Sequence, residues 1–91
     1  MKIKASNMTS PSYRGREVAN QFEIVAEDGR YFQSYRSIIV FIDNSGQVFL
    51  DPVYWDYSNT TGKYRNVFLR ENKAETKRKL DSGLYKFKNL N

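Results

Sequence analysis

Apolar side chains recur along this chain with two periods, and the change from one to the other falls just beyond Pro52. From Asn20 the period is two: Phe22, Ile24 and Ala26 share one face, while Gln21, Glu23 and Glu27 take the other, as in a strand with one side towards a core. Asp28-Gly29 follows directly and suits a type I′ turn, whose two central residues both need positive φ, so residues 21–27 and 30–35 are predicted to pair antiparallel. Ile38-Ile39-Val40-Phe41-Ile42 is β-branched or aromatic throughout and too short for a typical helix, which predicts a strand buried on both faces. Asp43-Asn44-Ser45-Gly46 reads as a turn, and Gln47 to Leu50 returns as the partner strand. Asp51-Pro52 then ends the sheet, because proline offers the ladder no donor.

Past Pro52 the spacing becomes helical. Tyr57, Thr61, Tyr64 and Phe68 lie four, three and four residues apart, one face of a helix over Asn59 to Leu69 with Ser58 or Asn59 as its cap, although Gly62 weakens it. A second helix over Lys73 to Ser82 is bounded by Asn72 with Glu75 three residues on, and by Gly83 after a lysine-rich stretch. Its only apolar residues are Ala74 and Leu80, so it can bury little. Leu84 to Lys88 alternates apolar and basic residues, as a half-exposed edge strand does. At the other end, Lys2 to Ala5 reads as a short first strand, and residues 7–16, with Pro11 and Gly15, as an exposed loop. The expected fold class is α+β: a four-stranded antiparallel meander, two C-terminal helices and a short closing strand in one domain spanning residues 1–91.

Composition narrows the chemistry. Thirteen Tyr and Phe with Trp55 must supply much of the core of a 91-residue chain. There is no cysteine, hence no disulfide, thiolate nucleophile or thiolate zinc site, which suits a reducing cytoplasm. The lack of histidine removes the commonest general base and the Ser-His and Cys-His hydrolase machinery. Asp43, Asp51, Asp56 and Glu71 remain as carboxylates, but none sits in a metal-binding loop or beside a phosphate-cradling glycine-rich turn, so neither catalysis nor a cofactor is expected. The apolar run at residues 38–42 is too short to cross a membrane, and Met1-Lys2-Ile3-Lys4 lacks the apolar stretch of a signal peptide, so a cytoplasmic location is expected.

Charge is uneven. Residues 1–60 hold six basic and seven acidic side chains, and residues 61–91 hold nine and three, so the whole excess of +5 comes from the last third. Such asymmetry points to an anionic partner. Lys63, Arg65, Arg70, Lys73, Lys77, Arg78 and Lys79 would form a basic surface over both helices that neutralises phosphates. A solvated helix face, with Lys77, Arg78 and Lys79 complementing the helix dipole, accounts for the same residues. Tyr13, Arg14 and Arg16 combine a stacking ring with guanidinium groups, again suited to nucleic acid, though an ordinary polar loop has this composition too. Tyr54, Trp55 and Tyr57 around Asp56 suggest core packing with Asp56 capping a turn, or else an interface anchor. Tyr31, Gln33 and Tyr35 share a strand face opposite Phe32, which leaves an aromatic row for burial or for stacking.

Three groups of residues carry a family resemblance: Ala19-Asn20-Gln21-Phe22; Tyr31-Phe32-Gln33-Ser34-Tyr35 with Ser37-Ile38-Ile39; and Tyr54-Trp55-Asp56-Tyr57-Ser58 with Thr60-Thr61, Lys63-Tyr64-Arg65-Asn66 and Phe68-Leu69. Together they resemble a small domain of unknown function carried by phages and mobile elements of Gram-positive bacteria. The likeness covers nearly the whole chain. It implies a small accessory protein inside a bacterial host, of a kind that binds nucleic acid or blocks a host defence machine such as a CRISPR nuclease. The expected function is therefore non-enzymatic binding to a host protein or nucleoprotein complex. The alternatives are direct nucleic-acid binding through the basic helices and a role in phage assembly. A basic chain argues against simple mimicry of DNA, which calls for acidic surfaces.

Overall fold

The computed structural model describes residues 3–10 and 15–91. Strands β1 (Lys4–Thr9), β2 (Glu17–Ala26), β3 (Gly29–Ser34), β4 (Ser37–Asp43) and β5 (Val48–Leu50) precede helices α1 (Asn59–Leu69) and α2 (Lys73–Asp81), and β6 (Lys86–Phe87) closes the chain. The strands form one six-stranded sheet in the order β1-β2-β3-β4-β5-β6. The first four pairings are antiparallel and the last is parallel. The α+β class holds, but the sheet is larger than a four-stranded meander and mixed. Parallel neighbours cannot be joined by a tight turn. Here α1 and α2 make the crossover from β5 to β6.

Two local expectations need correction. The first strand lies at Lys4–Thr9 and takes up the first part of the expected loop, because its ladder to β2 absorbs an irregularity between Asn7 and Thr9. The hairpin turn is Glu27-Asp28, with Ala26 opposite Gly29, and neither turn residue has positive φ. Gly29 instead starts β3 at φ 147°, where a Cβ would collide with the Ile42 carbonyl oxygen and lie 2.9 Å from the Cα of Asp43. The strand expected at residues 38–42 is present as β4 with Ile39, Val40 and Phe41 buried, and it carries a bulge: Phe32 faces Val40 while Gln33 faces Ile38, so both Ile39 and Val40 turn into the core.

The core lies between the sheet and the helices. Phe32, Val40, Val48 and Leu50 meet Tyr64 and Phe68 of α1, and Leu80 of α2 packs against their edge. The Phe32 and Phe68 rings stack at 5.8 Å between centroids. The helical face of α1 therefore begins at Thr61. Tyr57, expected as its first member, precedes the Ser58 cap and is 69% exposed. On the opposite face of the sheet Tyr31, Phe41 and Phe49 stack across β3, β4 and β5 with centroids 4.5 and 5.9 Å apart. The aromatic row thus runs across strands, whereas Tyr35 lies beyond the end of β3.

Both helix starts follow from their caps. Ser58 Oγ accepts from Thr61 N, and Asn72 with Glu75 makes a full capping box. Gly62 has no steric need to be glycine: a Cβ there would lie 3.6 Å from Asp56 Oδ1 and 3.7 Å from Arg65 Nη2, which is ordinary contact. Gly62→Ala should therefore stabilise the protein by about 1 kcal/mol through helix propensity. Thermal unfolding should show a midpoint raised by about 4–8 °C, and a fall would mean that the interior of α1 has no such room.

Candidate functional site

The segment between β5 and α1 is shaped by two carboxylates with different partners. Asp51, 2% exposed, accepts from the backbone N–H groups of Val53, Tyr54 and Leu90 at 3.0, 3.0 and 2.9 Å. It is this residue, rather than Asp56, that caps the turn. Asp56 lies between the helices, 3.2 Å from Arg65 Nη1 and 2.5 Å from Lys73 Nζ. Burial pushes the Asp56 carboxyl up, but hydrogen bonds from Lys73 and Arg65 and their charges outweigh it and hold it below the usual range.

Arg65, expected on a basic surface, is 1% exposed. Its guanidinium donates to the Trp55 carbonyl at 2.7 Å, to Asp56 and to Asn66 Oδ1, and lies 5.2 Å from the Trp55 ring centroid. The reason is helical phase. Arg65 stands four residues after Thr61 and three before Phe68, both of which are buried. Lys79 also has an internal partner, donating to Glu71 at 2.6 Å, with its ammonium 5.2 Å from the Tyr85 ring centroid. Glu71 receives further bonds from Thr76 and Tyr85 hydroxyls.

The other expected contacts separate into several places. Lys63 and Lys73 are exposed and line one cleft of about 640 Å³ with Asp56, Tyr57, Ser58 and the buried Arg65. Arg70 ends α1 in a left-handed conformation and lines a different groove beside Glu23 and Arg30. Lys77 and Arg78 are exposed on α2, and Arg16 is exposed just before β2. Tyr13 and Arg14 lie outside the described residues. The structure therefore brings Lys63, Lys73 and Arg65 to one cleft, where Arg65 and Lys73 pair with Asp56, and does not gather the remaining basic residues with them.

A second concavity adjoins this cleft. It encloses about 420 Å³ and is lined by Ser34, Tyr35, Tyr54, Tyr57, Ser58 and Thr61 among others, so Tyr57 and Ser58 belong to both. Its floor is a hydroxyl chain: Ser34 Oγ lies 2.9 Å from Thr61 Oγ1, which accepts from Ser58 Oγ at 3.1 Å. Tyr54 and Tyr57 have ring centroids 5.4 Å apart at 54°. The sequence marks these two tyrosines as one cluster and Tyr35 as part of a separate strand row, but not Ser34; a long-range contact of Ser34 with α1 and a left-handed backbone at Tyr35, φ 55°, bring both to the rim. Among the described residues no three side chains of His, Cys, Asp or Glu gather as metal ligands, and no helix is long and apolar enough to cross a membrane.

The model of a family of unknown function, DUF8033, matches residues 3–83. No curated protein and no solved structure matches the chain.

Proposed function

We propose that this chain, which belongs to the DUF8033 family of unknown function, is a non-enzymatic binding protein that engages a nucleoprotein assembly of a bacterial host and meets its nucleic acid through the cleft between α1 and α2. The observation that carries this reading is the exposed pair Lys63 and Lys73 beside the buried Arg65, with Asp56 as the carboxylate among them. Asp56 is paired with both Arg65 and Lys73, so three cations against one carboxylate leave the cleft with net positive charge. An anion entering there finds cations whose geometry is set by the fold. The phage or mobile-element setting implied by the resemblance fits this reading, with a defence nuclease as one such host assembly.

The test is a salt titration of binding to mixed-sequence duplex DNA. Each phosphate neutralised contributes about 0.9 to the slope of log K against log salt. Replacing Lys63 and Lys73 by glutamine should lower that slope by roughly 2, and stability should fall by no more than about 1 kcal/mol, the worth of the surface ion pair that Lys73 makes with Asp56. Absence of nucleic-acid binding by the unaltered protein at low salt would refute the reading. Recovery of partners from host cells before and after nuclease treatment would then identify a protein surface as the target.

A further inference from the structure

The paired concavities suggest what part of a nucleic acid would be held. We propose that the tyrosine-lined pocket takes an unstacked base while the adjoining cleft takes its phosphate, making a nucleotide site for single-stranded nucleic acid; this rests on the cationic-cleft reading above. The two spaces share Tyr57 and Ser58, so a ligand in one is continuous with a ligand in the other. A volume of about 420 Å³ lies within the range of small-molecule pockets, roughly 300–1,000 Å³.

The chemistry of each half matches its occupant. Tyr35 and Tyr57 are 54% and 69% exposed at the rim of one pocket, which leaves ring surface open there for stacking. Tyr54 supports Tyr57 from behind through the tilted ring contact. The Ser34 and Thr61 hydroxyls in the floor are buried and bonded to each other, so the exposed hydroxyls of Ser58 and Thr60 at the rim meet the base edge, and stacking on the tyrosines, which every base allows, carries the binding. Sequence-tolerant binding follows. In the adjoining cleft, Lys63 and Lys73 supply phosphate contacts, and Asn59 in the first turn of α1 adds an N–H group that the helix itself leaves without an acceptor. A duplex keeps its bases stacked, so it could use the cleft but not the pocket.

Fluorescence anisotropy with an end-labelled oligothymidylate, an abasic strand of equal length and competing thymidine monophosphate tests this. The oligothymidylate should bind more tightly than the abasic strand. Tyr57→Ala should weaken it about tenfold or more with an unchanged salt slope, while Tyr57→Phe should bind as the unaltered protein does. Lys63→Gln should lower the slope by roughly 0.7, the value for single strands. Competition by the mononucleotide at concentrations comparable to the strand would identify a free nucleotide as the ligand, and lack of competition would identify the strand; both outcomes keep the site. Equal binding of the abasic strand, or no change in Tyr57→Ala, would overturn the base pocket and leave the phosphate-binding cleft standing. Failure to bind any strand at low salt would remove both.

Discussion

Phe32→Ala is expected to lower the free energy of unfolding by about 3–5 kcal/mol, a large part of the stability of a domain this size. Phe32 is fully buried in the central strand β3, opposite Val40 in the register and stacked on Phe68 of α1. Removing its ring takes away the transfer free energy of a phenyl group and leaves a void that the sheet cannot close, since β3 is hydrogen-bonded on both sides. Urea unfolding should show a lower midpoint at constant m. Tyr57→Ala, at a ring 69% exposed, should change stability by no more than about 0.5 kcal/mol. A loss below about 1 kcal/mol at Phe32 would mean that the sheet and α1 do not share the core described.

The parts of this fold that are legible in the sequence are those fixed by neighbours along the chain. Asn59–Leu69 and Lys73–Asp81 agree with expectation, the second ending one residue early, because Ser58 and the Asn72–Glu75 box are local signals that need no tertiary partner. The strands after Asn20 are likewise marked by their own periodicity. Features that depend on distant contacts are not legible. β6 pairs in parallel only because two helices return the chain to β5, and its Lys86–Phe87 extent is shorter than the alternation from Leu84 to Lys88 suggests. The bulge at Ile39 shifts the inward phase by one residue, which no count along β4 alone can show. Arg65 is the instructive case at the site. Charge alone places it with Lys63 on a surface, whereas its spacing from Thr61 and Phe68 places it on the buried face. Periodicity was the better guide there, and it also explains why a basic residue became the scaffold of the cleft instead of its rim.

Asp51→Ala should destabilise by about 3 kcal/mol and free the C-terminal segment, although Asp51 lies far from the candidate site's lysines in sequence and binds no partner in the proposed function. Its carboxylate gathers three backbone N–H groups, two from the turn that leads to α1 and one from Leu90, thirty-nine residues away. Removal leaves these donors without their acceptor, at about 1–3 kcal/mol for each that stays buried. The same contacts set a pH dependence. Burial pushes the Asp51 carboxyl up, but the N–H groups of Leu90 and Tyr54, the Asn91 side chain and the N–H of Val53 outweigh it and hold it below its usual value. The folded protein therefore binds this proton less readily than the unfolded chain. The stabilisation is present above the unfolded carboxyl's pKa of about 3.9 and is lost as pH falls through the lower folded value. Asp51→Asn, which keeps one acceptor oxygen, should be milder than the alanine variant at neutral pH and should flatten the acid limb of the stability profile. Part of that limb should remain, because Asp56 and Glu71 are also held below their ordinary values. Hydrogen exchange at Leu90 should accelerate in Asp51→Ala more than exchange within β3. Unchanged protection at Leu90, or a loss of stability below about 1 kcal/mol, would show that the C-terminal segment is held by other contacts.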